Sequence, residues 1–144
     1  MTRINLIDVD ELYDIYPKFL LAEYREMPRI FSKVMKDGIK LNLIPKRYKL
    51  GKGHVHFFTN KLQFLLIRYI KIHYCLKNNG YKLNYSPSEL IDKYGNIIFY
   101  SGHQIKYKPT LKEIEINYER INDRLSKIKN KRHQNNYITT KLGE

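Results

Sequence analysis

The chain has 144 residues, enough for one domain with a modest hydrophobic core. Apolar residues make up 42% of it, which argues against a disordered protein, and a single cysteine excludes an internal disulfide. Lysine and arginine number 27 against 14 acidic residues, and the resulting formal net charge of +13 is typical of proteins that bind nucleic acid, an anionic membrane or an acidic protein.

The apolar runs do not predict a membrane protein. The run LQFLLIRYI contains Arg68 and is too short to cross a bilayer. The first dozen residues carry acidic side chains and lack the hydrophobic region of a secretory signal. Cys75 lies within an apolar helical pattern, so we interpret it as a core thiol rather than a nucleophile. We expect an intracellular monomer that is not secreted.

The first predicted helix begins at Pro17, a residue suited to the first helical position, and runs to Gly38. Pro28 lies inside it and lacks a backbone donor, which predicts a kink.

The second predicted helix begins near Thr59 and Asn60, both plausible N-caps, and ends at Gly80. Apolar residues recur at helical spacing and predict its buried stripe. The stripe consists of Leu62, Leu65, Leu66, Tyr69, Ile72 and Leu76.

The third predicted helix begins with the capping box TLKE, formed by Thr110 and Glu113. Its apolar stripe consists of Leu111, Ile114, Tyr118, Ile121, Leu125 and Ile128. Residues 81–109 are interpreted as loops and short turns. The predicted fold is all-α: a compact single domain, residues 1–144, with three main helices, long connecting loops, and a polar tail from about residue 129 that orders only on a partner.

Thr2 is a candidate nucleophile if the initiator methionine is removed. An α-amine has an ordinary pKa of about 7.7–8.0, so it is often unprotonated at neutral pH. Such an amine can attack an electrophilic sugar carbon and form an imine. Many proteins begin with Met-Thr and have no such role, so this feature is weak evidence by itself.

The segment AEYREMPRIF sets a carboxylate, Glu26, between Arg25 and Arg29. On one helix the two arginines would be four residues apart and share a face, where guanidinium groups can hold successive phosphates. An ionised Glu26 could then stabilise positive charge that develops on a nearby sugar. The alternative is ordinary surface pairing of Glu23 or Glu26 with Arg29, and the spacing alone favours this alternative.

Basic residues recur along the third helix and predict a phosphate-binding stripe opposite the apolar one. We interpret it as a stripe without interleaved acids, which a merely solvated face would carry. The stripe consists of Lys112, Arg120, Arg124, Lys127 and Lys131.

The segment GKGHVHFF, residues 51–58, has two glycines whose backbone amides could approach a phosphate, although no strand precedes them. His54 and His56 could suggest a metal, but no third ligand follows at zinc spacing. We therefore predict no metal and no cofactor, and interpret the histidines as structural or close to DNA.

Taken in chain order, MTRINL, AEYREMPRIF, GKGHVHFFTNKLQFL and YKP followed by ERINDRL resemble the pyrimidine-dimer DNA glycosylase family, the relatives of phage endonuclease V. The resemblance extends to about Leu125. It implies a small all-α DNA repair enzyme that has glycosylase and abasic-site lyase activities and needs no metal. It implies that the α-amine of Thr2 is the nucleophile and that Glu26 is the essential acid. It further implies DNA contacts by Arg3, Arg25, Arg29, Arg120 and Arg124.

The chain departs from the family pattern at three places. Phe19 stands where the family has a histidine, three residues before AEYRE. Three residues are inserted around Tyr16, Pro17 and Lys18. Tyr137 is the single aromatic residue in a tail where the family has several. These departures predict that catalysis is kept while the choice of lesion has shifted.

We therefore expect a base-excision repair enzyme that acts on damaged double-stranded DNA, with UV pyrimidine dimers as the first candidate lesion. Two alternatives stay open. The same chemistry could act on other damaged bases or on abasic sites only. A basic DNA-binding protein of the same fold could also work without catalysis, by charge and DNA deformation.

Overall fold

The computed structural model describes the backbone of residues 2–100 and 102–143, and the side chains of residues 2–100 and 102–129. These residues form seven α-helices and one short 3₁₀-helix, without a strand. No helix among them combines the length and the apolar character needed to cross a bilayer. The α-helices are α1 (Val9–Ile15), α2 (Pro17–Glu26), α3 (Pro28–Asp37), α4 (His54–Phe58), α5 (Leu62–Asn78), α6 (Pro87–Phe99) and α7 (Leu111–Gly143), and the 3₁₀-helix is Leu41–Leu43.

The predicted all-α class is confirmed, but the predicted number of three main helices is wrong. The helix expected from Pro17 to Gly38 is divided at Met27 into α2 and α3, because Pro28 cannot donate the backbone hydrogen bond that would continue the ladder. The prediction also lacks α1 and α4. Their seven and five residues are too few to display a helical period.

The segment predicted to contain only loops and turns, residues 81–109, includes α6. Ser86 caps this helix, since its hydroxyl oxygen accepts a hydrogen bond from the Glu89 amide at 3.2 Å, and Pro87 takes the first helical position. Its buried residues are Leu90, Tyr94 and Ile98, on a helix that packs against α3 and α5. Gly95, a poor helix former in mid-helix, obscured the pattern.

Helix α5 is the helix around which α1, α2 and α6 pack. Its buried stripe agrees with the prediction from helical spacing. Its start does not: Leu62 begins the helix, and its amide donates to the side-chain oxygen of Gln104 at 2.8 Å, so neither Thr59 nor Asn60 is the N-cap. Cys75 on this helix is half-buried, and burial raises the pKa of its thiol to about 11, which agrees with a packing role.

Helix α7 begins at the predicted capping box. The hydroxyl oxygen of Thr110 accepts a hydrogen bond from the Glu113 amide at 3.2 Å, and Glu113 Oε1 accepts one from the Thr110 amide at 3.0 Å. The predicted polar tail, including Tyr137, lies outside the residues whose side chains are described.

Most of the predicted apolar stripe of α7 packs against the core, since Ile121 is buried and Ile114, Tyr118, Leu125 and Ile128 are partly buried against it. The buried face differs from the prediction at Leu111 and in two polar residues. Glu113, Asn117 and Ile121, spaced four apart, are its most buried residues, whereas Leu111 is 82% exposed. Two polar side chains are buried here because they meet backbone amides of other segments. Glu113 Oε2 accepts from the amide of Tyr48 at 2.8 Å, and Asn117 Oδ1 accepts from the amide of Leu6 at 2.7 Å. Hydrogen bonds to buried backbone amides therefore act together with apolar packing to decide which side of α7 faces inward.

We expect Glu113→Ala to lower the free energy of unfolding by about 2–4 kcal/mol, because it strands the buried Tyr48 amide and the Tyr107 hydroxyl, which donates to Glu113 at 3.1 Å. Chemical denaturation measures the change. Glu115→Ala, on the exposed side of the same helix, is the control and should stay within about 0.5 kcal/mol of the parent protein. Equal effects of the two substitutions would contradict this account of α7.

Candidate functional site

The N-terminal segment, defined as residues 2–8, runs through the interior without forming a helix. Ile4, Asn5, Leu6 and Ile7 are all buried. Buried backbone amides and carbonyls need hydrogen-bond partners, and no strand among the described residues lies beside the segment to provide them. The partners are side chains from helices and loops that are distant in the sequence.

His54 and Tyr48 hold the segment at Ile4. His54 Nε2 accepts a hydrogen bond from the Ile4 amide at 2.9 Å, while its Nδ1 donates to the carbonyl of Lys49 at 2.8 Å. The Tyr48 hydroxyl donates to the Ile4 carbonyl at 3.0 Å. These two contacts of the imidazole require the neutral tautomer protonated on Nδ1.

The neutral state of His54 agrees with its surroundings. Burial lowers the pKa of His54 to about 4, and the charges of Arg120 and Arg3 act in the same direction. A proton on Nε2 would remove the acceptor for the Ile4 amide, so the neutral ring is a structural requirement of the N-terminal segment.

Glu23 and Arg68 form a buried ion pair beneath the segment. Arg68 donates from Nε and Nη2 to the two carboxylate oxygens of Glu23, the second at 3.0 Å, and its Nη1 donates to the Ile7 carbonyl at 2.7 Å. Glu23 Oε1 also accepts from Asn5 Nδ2 at 2.8 Å. The predicted surface pairing of Glu23 with Arg29 is therefore wrong: the Glu23 carboxylate is committed to the interior.

Asn117, on α7, holds the far part of the segment. Its Oδ1 accepts from the amides of Leu6 and Ile7, at 2.7 and 3.0 Å, and its Nδ2 donates to Asn5 Oδ1 at 2.9 Å. The N-terminal segment is thus held from α2, α4, α5 and α7 together.

Glu26, at the end of α2, lies at the start of this segment. Its Oε2 accepts a hydrogen bond from the amide of Arg3 at 3.2 Å. Arg3 follows Thr2 directly, so the Glu26 carboxylate lies within one residue of Thr2. Both Thr2 and Glu26 are half-buried, so each keeps some access to solvent.

Two adjoining clefts open at this end of the segment. The smaller, of about 260 Å³, is lined by Arg3, Glu26, Phe19 and Arg124, among others. The larger, of about 830 Å³, is lined by Thr2 and by several basic residues. Those basic residues are Arg3, Lys33, Lys52, Arg120, Arg124 and Lys127. Since Arg3, Arg120 and Arg124 line both clefts, the carboxylate of Glu26 lies beside a strongly cationic surface.

Among the predicted site residues, Thr2, Arg3, Glu26, Arg120 and Arg124 come together at these clefts. Arg25 and Arg29 line neither of them. Both are exposed, on α2 and α3 respectively, and within the described part of the chain neither makes an ion pair. The expectation that they share one helix is corrected by the break at Met27.

Arg120, which we predicted to lie on an exposed basic stripe of α7, is partly withdrawn from solvent. It is half-buried, its Nη2 donates to Asn5 Oδ1 at 2.5 Å, and its Nε is buried without a hydrogen-bond partner among the described residues. Burial lowers the pKa of its guanidinium from the ordinary value. Arg124 lies over the ring of Phe19, with 5.7 Å between guanidinium carbon and ring centroid.

The predicted basic stripe along α7 is less uniform than expected. Asp123 lies within it, lines the larger cleft and forms an exposed ion pair with Lys127 at 3.1 Å. Lys112 is exposed at the distant first turn of the helix, and the side chain of Lys131 lies outside the described residues. Of the predicted stripe, Arg120, Arg124 and Lys127 line the larger cleft, and Arg120 and Arg124 also line the smaller one.

The loop before α4 adopts the conformation that its glycines permit. Gly51 and Gly53 have φ angles of 70° and 93°, and a Cβ on Gly53 would lie 3.2 Å from Pro45 Cγ. The loop brings Lys52 to the larger cleft and His54 to the N-terminal segment. Both ring nitrogens of His54 are engaged, and no three potential ligands among His, Cys, Asp and Glu gather elsewhere in the described residues.

Sequence reasoning missed the residues that hold the N-terminal segment: Tyr48, Asn117, Arg68 and Glu23 as internal partners, and His54 as an acceptor. A signal exists for Arg68, which interrupts an apolar stripe, and for Asn117, which falls four residues before Ile121. Neither position indicates which backbone group the side chain meets.

A family model described as pyrimidine dimer DNA glycosylase matches residues 1–88, which are 88 of the 144 residues. The matched range contains Thr2, Arg3, Glu23, Glu26 and His54. It ends within α6, so Arg120 and Arg124 lie beyond it.

We expect the free energy of unfolding to fall as the pH is lowered from 6.5 to 4, because the unfolded chain binds a proton at His54 that the folded chain excludes. His54 should contribute about 3 kcal/mol of this loss, on the basis of a depressed pKa of about 4. Denaturation at a series of pH values measures the slope. His54→Gln should flatten it, whereas His103→Gln, at an exposed histidine, should leave it unchanged. If His54→Gln had the same pH slope as the wild-type protein, a neutral His54 that accepts from the Ile4 amide would not be the source of the slope.

Proposed function

Because the chain belongs to the pyrimidine dimer DNA glycosylase family, we propose that it excises UV pyrimidine dimers from duplex DNA and then cuts the strand by abasic-site lyase chemistry. The observation that carries the catalytic part is the hydrogen bond between Glu26 and the amide of Arg3. It links a carboxylate that lines the smaller cleft to the backbone that bears the candidate nucleophile.

DNA binds to the cationic surface formed by Arg3, Arg120 and Arg124, which line both clefts. The overall charge of +13 attracts the duplex, and phosphate contacts fix its register. Arg120 has a buried Nε donor without a partner among the described residues, which favours an anion as its missing acceptor. Arg25 and Arg29 are exposed on neighbouring helices and extend the phosphate-binding surface beyond the clefts.

The damaged nucleotide leaves the stack and enters the clefts, at lower cost where damage has weakened its pairing. The uncharged α-amine of Thr2, exposed by removal of Met1, attacks C1′. The C1′–N bond breaks, its electrons leave with the base, and the base takes up a proton. The amine then loses a proton as the sugar ring opens, which forms an imine.

Strand cleavage follows from the imine. Loss of a proton from C2′ delivers electrons that break the C3′–O bond, and the 3′ phosphate leaves. Water hydrolyses the imine and restores the amine. Glu26 stabilises the positive charge that develops at the sugar and transfers protons during ring opening and elimination.

One aromatic residue, Phe19, lines the proposed lesion site. Phe19, which is 9% exposed, lines the same small cleft as Glu26 and carries the guanidinium of Arg124 over its ring. An apolar ring at this position offers stacking but neither donates nor accepts a proton. Glu23, which also lines the small cleft, is bound to Arg68 and Asn5, so proton transfers there are assigned to Glu26.

We expect borohydride to trap the processed protein on duplex DNA that carries one abasic site, because reduction of an imine gives a stable secondary amine. Mass mapping should locate the cross-link on the α-amine of Thr2. Protein that retains Met1 serves as the control and should not cross-link. A cross-link on a lysine would contradict the role of Thr2, and a processed protein that binds DNA without trapping would be a non-catalytic DNA-binding protein. The same assay on dimer-containing DNA separates excision from lyase activity alone.

Glu26→Gln should lower the single-turnover rate of strand cleavage by about 10²–10⁴-fold, because a neutral amide neither stabilises a cationic sugar nor transfers a proton. The amide oxygen can still accept from Arg3, so DNA affinity should remain near that of the parent protein. Glu115→Gln, exposed on α7, is the matched control. Unchanged cleavage by Glu26→Gln would exclude Glu26 from the chemistry.

A further inference from the structure

We propose that Asn117 is a positioning residue, which fixes the position of the N-terminal segment relative to Arg120. The inference rests on the proposed function, because it concerns how the amine of Thr2 is presented to DNA held by Arg120. The contacts that carry it involve neither of the two residues proposed to do the chemistry.

Asn117 is fully buried and makes both of its backbone contacts through a single atom. Its Oδ1 accepts from the amides of Leu6 and Ile7, at 2.7 and 3.0 Å. Successive amides of an extended chain point in opposite directions, so two that converge on one oxygen require a bend. The chain does bend at Ile7. Asn117 therefore stabilises the bend that directs residues 2–6 toward the clefts.

The same side chain reaches Arg120 through Asn5. Asn5 Oδ1 accepts from Asn117 Nδ2 at 2.9 Å and from Arg120 Nη2 at 2.5 Å, while Asn5 Nδ2 donates to Glu23 Oε1 at 2.8 Å. Rotating the Asn5 amide by 180° would set its N–H groups against two donors, so one orientation is specified. Glu23 is in turn fixed by Arg68. Asn5 thus connects the N-terminal segment to two residues of α7, Asn117 and Arg120, through hydrogen bonds.

This hydrogen-bond network connects the residue that contacts DNA, Arg120, to the segment that carries the amine of Thr2. Arg120 lines both clefts and has a buried Nε without a partner among the described residues, so a DNA phosphate at Arg120 contacts the group that also fixes Asn5. Thr2 lies three residues from Asn5, a span of about 10 Å at full extension. A small rotation at Asn5 is therefore enough to move the amine away from C1′, and a misplacement of about 1 Å can cost about 10²-fold in rate.

A purely structural role would have a different consequence. Leu6 and Ile7 keep their side chains in the core, and the Ile7 carbonyl keeps its bond to Arg68, without any help from Asn117. Helix α7 remains anchored through Glu113 and Ile121. Loss of Asn117 should therefore loosen the course of the segment while the fold and the cationic surface persist.

The test compares three variants of the processed protein at a temperature where all are folded: Asn117→Ala, Asn117→Asp and the control Asn122→Ala, an exposed asparagine on the same helix. Three quantities are measured: the single-turnover rate of borohydride trapping on abasic-site duplex, the DNA dissociation constant at fixed salt, and hydrogen exchange at the Leu6 and Ile7 amides.

Asn117→Ala should lower the trapping rate about 10–100-fold, with a dissociation constant within about threefold of the parent value and faster exchange at both amides. Asn117→Asp should retain amide protection, since a carboxylate also accepts from both amides, yet still trap slowly, because it cannot donate to Asn5. Asn122→Ala should match the parent protein in all three measurements.

Trapping by Asn117→Ala at the parental rate would overturn the positioning role and leave the proposed function intact. So would slow trapping with unchanged exchange at Leu6 and Ile7, or a loss of rate explained entirely by weaker DNA binding. If Asn117→Ala does not fold, parental trapping by Asn117→Asp overturns the link through Asn5. Absence of trapping by the parent protein itself would instead reject the proposed function, and the positioning role with it.

Discussion

The structure depends on the burial of an extended peptide segment that has no neighbouring strand in the described part of the chain. Without a sheet ladder beside it, the segment depends on side-chain partners for the amides of Ile4, Leu6 and Ile7 and for the carbonyls of Ile4 and Ile7. His54, Tyr48, Asn117 and Arg68 are those partners. They come from elements spread over most of the chain, so the segment can take its course only when the whole helical assembly has formed.

The same constraint explains the charge states in the interior. His54 is neutral because one ring nitrogen must accept and the other must donate, and burial beside arginines disfavours a second ring proton. Glu23 and Arg68 form a buried ion pair, and each of the two also holds the segment. Removing one member of such a buried pair is strongly destabilising, since the remaining charge is uncompensated. Arg120 differs from both, because its buried Nε has no hydrogen-bond partner among the described residues.

The cationic residues therefore divide into two groups. Arg68 is turned inward and stabilises the fold, whereas Arg25, Arg29 and Arg124 lie at or near the surface, where a polyanion can reach them. Arg120 belongs to both groups, since it contacts the buried Asn5 and also lines the clefts. Because Arg120 contacts both Asn5 and the clefts, the hydrogen bonds of the interior affect the proposed chemistry as well as stability.

The sequence by itself determined the helical class, the buried stripe of α5, the capping box of α7 and, through its motifs, the family. These features are local: spacing, capping and short motifs are properties of neighbouring residues. Only the tertiary structure decided that Glu23 pairs with Arg68 rather than Arg29, that α7 buries Glu113 and Asn117, and that His54 is an acceptor for Ile4. The physical reason is that the partner of a buried polar group is set by which distant backbone atoms the packed helices bring within hydrogen-bond range.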